Sequence, residues 1–257
     1  MSGVLSRLKE QSWPYEIEGV QGGLHGFFLS EYVAAFPGTL VLVVPTEKDI
    51  ETLTADLDLT GLDSDILPWW GTMAYRPVPP GAVVFGERAA RLAGLTIPNG
   101  RYSAAQGKKE TRILVMTQRA FLTPVPPPEY FKSLLTTIRK GDSFDSAALA
   151  ERLASFGYTR VPRVTVHGEF ALRGEVFDIF MPGETEAHRI VFEFDTVEQI
   201  KAFNPGDQSS VSVLDSLVLY PAKEVIWDEA RIAALKARLE ELPEFASGAP
   251  ELVDHLS

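Results

Sequence analysis

The sequence predicts an α/β protein, a parallel-sheet layer carrying an inserted α+β module. Three observations predict it. Short apolar runs alternate with amphipathic stretches in the first half of the chain, the texture changes after a proline cluster at 124–128, and the second half consists of short strand-like runs between Pro and Gly turns. A chain of 257 residues suits one large or two modest domains, at roughly 100–200 residues per domain.

In the first half, the run Thr39–Val44 (TLVLVV) is continuously apolar and ends at Pro45-Thr46, which reads as a buried parallel strand followed by a loop. Glu47 to Leu57 then places Ile50, Leu53 and Leu57 at helical spacing, with Thr46 as the capping residue. Arg112–Thr117 repeats the strand pattern, and Gln118–Leu122 follows as a short helix. Between them, PWWGTMAYRPVPPG (68–81) is rich in Pro and aromatics and precedes a helix-like GERAARLAGL. Trp69, Trp70 and Tyr75 suit anchoring of that irregular stretch better than a base-stacking platform. The polar segment 98–111, with Lys108 and Lys109, reads as a solvated mobile loop.

From Lys140 onward the pattern is a helix, Ser146 to Phe156, and then strand candidates. These are Phe170 to Phe180, Arg189 to Phe194, and Ser212 to Tyr220, separated by turns at Pro182-Gly183 and Asn204-Pro-Gly206. The tail returns to helix, with Ile232, Leu235, Leu239 and Leu242 on one face and Pro243 as the stop. The expected domains are therefore 1–139, an inserted module over 140–221, and a return segment over 222–257 packing on the first domain.

Composition removes several classes of function. The charged fraction of 23% and a mean hydropathy near zero exclude a disordered chain. No run approaches the roughly 18 apolar residues of a membrane span, and the first residues lack an apolar signal core, so a soluble cytoplasmic protein is expected. The absence of cysteine excludes disulfides, Cys-ligated zinc and a thiol nucleophile, and four scattered histidines do not suggest a metal site. A net charge of −11 argues against a tight nucleic-acid binder, because phosphate contacts need basic surface. The Glu193/Asp195 pair has no companion base and is assigned no catalysis.

Residues 19–26, GVQGGLHG, stand before an apolar stretch, where a phosphate-binding loop would have the pattern GxxxxGK[ST]. Gly19 holds the first position and Gly22 lies within the loop. Leu24 replaces the second glycine, His25 the lysine, and Gly26 the Ser or Thr whose oxygen would hold Mg²⁺. A neutral imidazole supplies no permanent charge, so the loop reads as a degenerate strand-to-helix turn that has lost nucleotide binding. No cofactor and no catalytic residue are expected.

Taken together, these segments resemble a family. The succession of the glycine loop, LVLVVPTEKD, ILPWWGTMAYRPVPPGAVVFGERAARL, ILVMTQRAFLTPVPPPEYF, IRKGDSF, HGEFALRGEVFDIFMPG, HRIVFEFDTVEQIKAFNPGDQSS and LVLYPAKE is similar to the N-terminal region of the bacterial transcription-repair coupling factors (Mfd), itself similar to the excision-repair helicase UvrB. The resemblance covers about residues 15–227 and is most specific in GEFALRGEVFDIF with the downstream FNPGDQ and YPAKE. UvrB keeps the lysine and threonine of the phosphate loop, whereas the coupling factors lose them, as Leu24-His25-Gly26 does here.

The resemblance implies a helicase-like but ATPase-dead layer (1a and 1b) with an inserted domain 2. In that family domain 2 docks on UvrA, the damage-sensing ATPase, and recruits it to stalled RNA polymerase. It also implies that the polymerase-binding domain and the DNA-translocating motor lie in regions outside these residues, and that a C-terminal domain masks the docking surface at rest. A monomer is expected. An ATP-dependent DNA helicase fragment of UvrB type is the rival expectation, and a purely structural spacer the third.

Charge locates the docking surface. The region 1–139 holds 13 basic and 14 acidic residues, the insert 7 and 13, and the tail 4 and 8. Within the insert, Arg152 to Arg173 has four arginines and a single acid, Glu169, the composition of a charge-complementary protein contact. By the family motif, Arg160, Arg173 and Phe177 stand at UvrA-contact positions. UvrB carries a further arginine where Ala171 stands, and Arg163 has no family equivalent. Each has a plainer reading: Arg173 paired across strands with Glu175 or Asp178, Phe177 in the core, and Arg160 solvated.

Overall fold

The computed structural model describes residues 14–71, 82–97 and 112–241, together with Leu8. It divides into two compact units, 1–133 and 134–257. Tyr75, the segment 98–111, Leu242 and Pro243 lie outside the described residues. No helix among the described residues is long and apolar enough to cross a membrane.

In unit 1, strand β1 (Thr39–Val44) pairs in parallel with β3 (Arg112–Thr117), and β2 (Asp65–Ile66) lines the other side of β3. The central strand is buried on both faces from Ile113 to Met116, which is why its sequence is continuously apolar. Helices α1 (Leu24–Ala35) and α2 (Glu47–Asp58) cover one face, where Leu29, Val33, Ile50 and Leu57 meet Ile113 and Val115. Thr46 caps α2 as its sequence position predicts. Its hydroxyl accepts from the Asp49 N–H, and the Asp49 carboxylate accepts from the Thr46 N–H at 3.0 Å, a reciprocal capping box. No strand precedes the glycine loop among the described residues; the stretch after it is helix α1.

The helix-like segment after the Pro-rich stretch is α3 (Ala82–Thr96), and the short helix after β3 is α4 (Gln118–Leu122). The tryptophans are held by cations. The Arg88 guanidinium lies 5.2 Å from the Trp70 ring and donates to the Pro68 carbonyl at 2.7 Å, while Arg119 lies 5.1 Å from Trp69. These contacts anchor Pro68–Trp70, since an arginine stacked on indole is held by both charge and apolar area.

Helix α5 (Pro128–Leu134) leads to unit 2. Strand β4 (Thr136–Arg139), counted with the first region in the sequence, pairs antiparallel with β11 (Ser216–Leu219) within this unit. A six-stranded sheet runs in the order β10-β9-β8-β7-β6-β5: β5 (Thr159–Arg160), β6 (Glu169–Arg173), β7 (Val176–Phe180), β8 (Ala187–Glu193), β9 (Thr196–Phe203) and β10 (Ser210–Leu214). All pairs are antiparallel except β5–β6. The expected single strand Ser212–Tyr220 is thus two strands in two sheets. Asp215 separates them, and its carbonyl accepts from the Lys140 N–H.

Helix α6 (Ser146–Ser155), capped by Asp145 through the N–H groups of Ala147 and Ala148, packs on β5 and β6. The start of the return segment is bonded inside unit 2, with the Ala222 N–H donating to the Phe156 carbonyl. The Tyr158 hydroxyl donates to the Tyr220 carbonyl at 2.9 Å, and the Tyr220 hydroxyl reaches Glu184 Oε1 at 2.8 Å. The tail helix α7 spans Glu229–Glu240.

Candidate protein-interaction site

The GEFALRGEVFDIF segment folds as the β6–β7 hairpin, turning at Gly174-Glu175. Gly174 has φ +59°, a left-handed conformation that glycine adopts without a Cβ clash. Arg173 is the last residue of β6 and faces Val176, so Asp178 is its diagonal neighbour two residues along the same face. The sequence left two acids open as partners, and the structure selects Asp178: Arg173 Nη2 donates to Asp178 Oδ2 at 2.8 Å.

Asp178 is 1% exposed, and a buried carboxylate must be paired. Directly across β8, Arg189 supplies the second partner, with Nε to Oδ1 at 2.7 Å and Nη2 to Oδ2 at 2.9 Å. This fork geometry is the bidentate arrangement that arginine makes with carboxylate. The hydrogen bond to Asp178, together with the carboxylate's charge, raises the Arg189 pKa against the opposing effect of burial. Arg189 also donates to Gln208 Oε1 at 3.0 Å and lies 4.7 Å from the Phe203 ring. The result is a half-exposed Arg173 guanidinium held in one place by a carboxylate that is itself immobilised.

Asp178 and Arg189 act here as a unit that sequence reasoning did not assign to the site. The signal was present: Asp178 is the lone charge in the strand VFDIF, and it needed a cation within reach. Ala171, standing where UvrB has its extra arginine, is fully buried directly opposite Asp178.

Phe177 is a correction. It is fully buried, stacked on Phe170 with centroids 5.6 Å apart and planes 7° from parallel. Its neighbours Val176 and Asp178 belong to the opposite face, so the ring points into the layer with Ile179 and Ile190, where it supports the fold and is not presented at the surface. Arg160 is exposed, but it pairs with Phe170, three residues from Arg173 along β6. An odd separation puts the two arginines on opposite faces of the sheet.

The remaining arginines of the cluster disperse too. Arg152 on α6 donates to the Leu134 carbonyl at 3.4 Å and stacks over Phe156, and Arg163 donates to the Gly206 carbonyl at 3.2 Å. The sequence cluster from Arg152 to Arg173 is therefore not one patch.

In unit 1 the degenerate loop carries positive φ at Gly19 (+83°) and Gly22 (+56°), and α1 begins at Leu24 with no side-chain cap. Leu24 is half-exposed, and His25 Nδ1 stands 3.9 Å from Asp56 Oδ2. At Gly26, where a phosphate loop has Ser or Thr, a Cβ would meet the Asp56 carbonyl oxygen at 2.2 Å and its carbon at 2.8 Å. Helices α1 and α2 thus approach through this glycine. A cavity of about 340 Å³ beside the loop is lined by Ile17, Val20, His25, Phe28, Val41 and Val43 among others, with His25 as the one titratable side chain and no lysine.

Residues 136–225 match the family model of the UvrB interaction domain. The transcription-repair-coupling factor of Bacillus subtilis is 38% identical over 88% of this chain and 20% of its own length. That of Myxococcus xanthus is 32% identical over 86% of the chain and 18% of its length. The Borreliella burgdorferi protein is 27% identical over 90% and 20%. The chain spans about a fifth of the length of the curated relatives it matches. Residues 136–225 accordingly match the UvrB interaction domain, and the chain as a whole is similar to part of the transcription-repair-coupling factors.

Proposed function

We propose that this chain is a non-catalytic recruiting module that binds UvrA through the six-stranded sheet of unit 2 and so links stalled RNA polymerase to nucleotide excision repair. Polymerase and DNA contacts fall to other parts of the longer family protein, and the module works as a cytoplasmic monomer. The observation that carries the reading is the Arg173 guanidinium, half-exposed at a hairpin end and fixed by buried Asp178 within a UvrB interaction domain. A pre-oriented arginine loses little side-chain freedom on docking, which is what makes arginine effective at interface centres. Arg160, which leaves the opposite face of the sheet at the β5 edge, lies outside this contact. The glycine packing at the degenerate loop supports a scaffold role for unit 1, since a hydroxyl-bearing side chain for Mg²⁺ has no space at position 26.

Calorimetric titration with purified UvrA tests this. Arg173→Ala is expected to weaken binding by at least about tenfold, roughly 1.4 kcal/mol, while Asp178 keeps both bonds from Arg189 and the melting temperature stays within about 2 °C. Equal affinity of variant and parent would refute the role of Arg173. Measurable ATP binding by the parent would favour instead the UvrB-type helicase reading.

A further inference from the structure

The β8–β9 hairpin closes through a two-residue loop, Phe194-Asp195, with Glu193 paired to Thr196. Its sequence, RIVFEF, reads as a strand through Phe194, but the residue is in the turn with φ +56°. Bulky residues avoid that region because Cβ crowds the backbone, and Gly or Asn occupies it at lower cost. The ring is also 85% exposed. Neither the backbone nor the core therefore favours phenylalanine at this position.

The tip is firmly held. The Phe144 N–H donates to the Asp195 carbonyl at 2.8 Å, Val197 N–H to the Asp142 carbonyl at 2.9 Å, and Ser143 bridges Thr196. On the other flank, the Phe192 N–H donates to the Glu175 carbonyl at 2.8 Å. That bond ties the tip to the β6–β7 turn, and the register Arg173–Val176–Val191 places both turns at the same end of the sheet. An exposed aromatic on a braced turn, at the same sheet end as a fixed half-exposed arginine, has the composition of an interface anchor.

We propose that Phe194 is the apolar anchor of the contact made by this sheet end, filling the role that the sequence motif gives to Phe177. The inference rests on the reading that the sheet end with Arg173 docks on UvrA. It further specifies the partner's surface. Exposed Glu193 and Asp195 flank Phe194 in the chain, and exposed Glu175 lies on the turn bonded to Phe192, so the socket that accepts Phe194 is apolar with a basic rim. The same carboxylates repel nucleic-acid phosphates and, in a symmetric dimer, would face their own copies.

The test is Phe194→Asn in the 257-residue chain, with Phe194→Tyr as the conservative control, titrated against purified UvrA beside the parent. Asparagine tolerates positive φ, so the variant is expected to melt no lower than the parent, and up to about 2–4 °C higher. Its UvrA affinity is expected to fall at least about tenfold, with the tyrosine variant retaining most of the parent's binding. An asparagine variant that binds like the parent overturns this proposal and leaves the role of Arg173 standing. A parent chain that does not bind UvrA overturns both.

Discussion

Replacing Gly26 by alanine is expected to destabilise unit 1 by about 1–2 kcal/mol, although alanine is the better helix former. Two effects oppose each other. Removing a glycine from a helix gains up to about 1 kcal/mol. The added methyl, however, would lie 2.2 Å from the Asp56 carbonyl oxygen, 2.8 Å from its carbon and 3.3 Å from the Thr60 methyl, where carbon contacts are optimal at about 3.5–4.0 Å. The first two obstacles are backbone atoms, so the strain cannot be relieved by a rotamer change. Helix α1 must move away from α2 by more than 1 Å as an order of magnitude, opening the packing of Leu29 and Val33. Overpacking of this kind costs about 1–3 kcal/mol, so the clash prevails.

The assay is thermal and urea unfolding followed by circular dichroism, with Gly23→Ala as control. At Gly23 a Cβ meets only Asp56 Oδ1, at 3.9 Å, and the backbone is already right-handed. The control should leave the midpoint unchanged, while Gly26→Ala lowers it by several degrees. A Gly26→Ala protein as stable as the parent would show that the helices do not meet through this residue. The steric account of the lost phosphate loop would then fail with it.

Two further predictions concern unit 2. Asp178→Ala leaves Arg189 and Arg173 without their carboxylate and is expected to cost about 3 kcal/mol in urea unfolding, the scale of breaking a buried ion pair; a cost under 1 kcal/mol would show that the arginines find water instead. His188 is 2% exposed, its Nδ1 has no hydrogen-bond partner, and burial pushes its pKa down to about 4. The unfolded chain then binds the extra proton first, so stability present above pH 6.5 is lost as pH falls towards 4, about 3 kcal/mol in all. His188→Leu should flatten that part of the stability profile, and an unchanged slope would assign it to the carboxylates.

Much of the architecture is legible in local sequence because local rules govern it. The run TLVLVV followed by Thr46 and an amphipathic stretch specifies a strand, a cap and a helix within 20 residues, and all three form. However, β1 is an edge strand with Val41 and Val43 exposed, and not the buried strand its continuous apolar run suggests. Asn204, Pro205 and Gly206 mark a turn for equally local reasons, with the Gly206 N–H bonded to the Asn204 side chain. Strand ends are less legible. Nothing in RIVFEF marks where the hairpin turns, because Phe194 is a strong strand former placed at a turn by the pairing of Glu193 with Thr196.

The candidate site divides along the same line. Sequence by itself determined the alternation that makes a parallel layer, the loss of lysine and hydroxyl from the glycine loop, and the RG pair that carries the family resemblance. Only the tertiary structure decided that Phe177 faces inward while Phe194 faces out, that Arg160 and Arg173 leave opposite faces of the sheet, and that Asp178 belongs to Arg173 and Arg189 together. The reason is physical. Apart from Asp178, strand β7 is apolar on both faces and buried on both, so periodicity cannot say which face lies nearer solvent. Charge pairing and exposure are set by cross-strand register between residues far apart in the chain, which no local pattern contains.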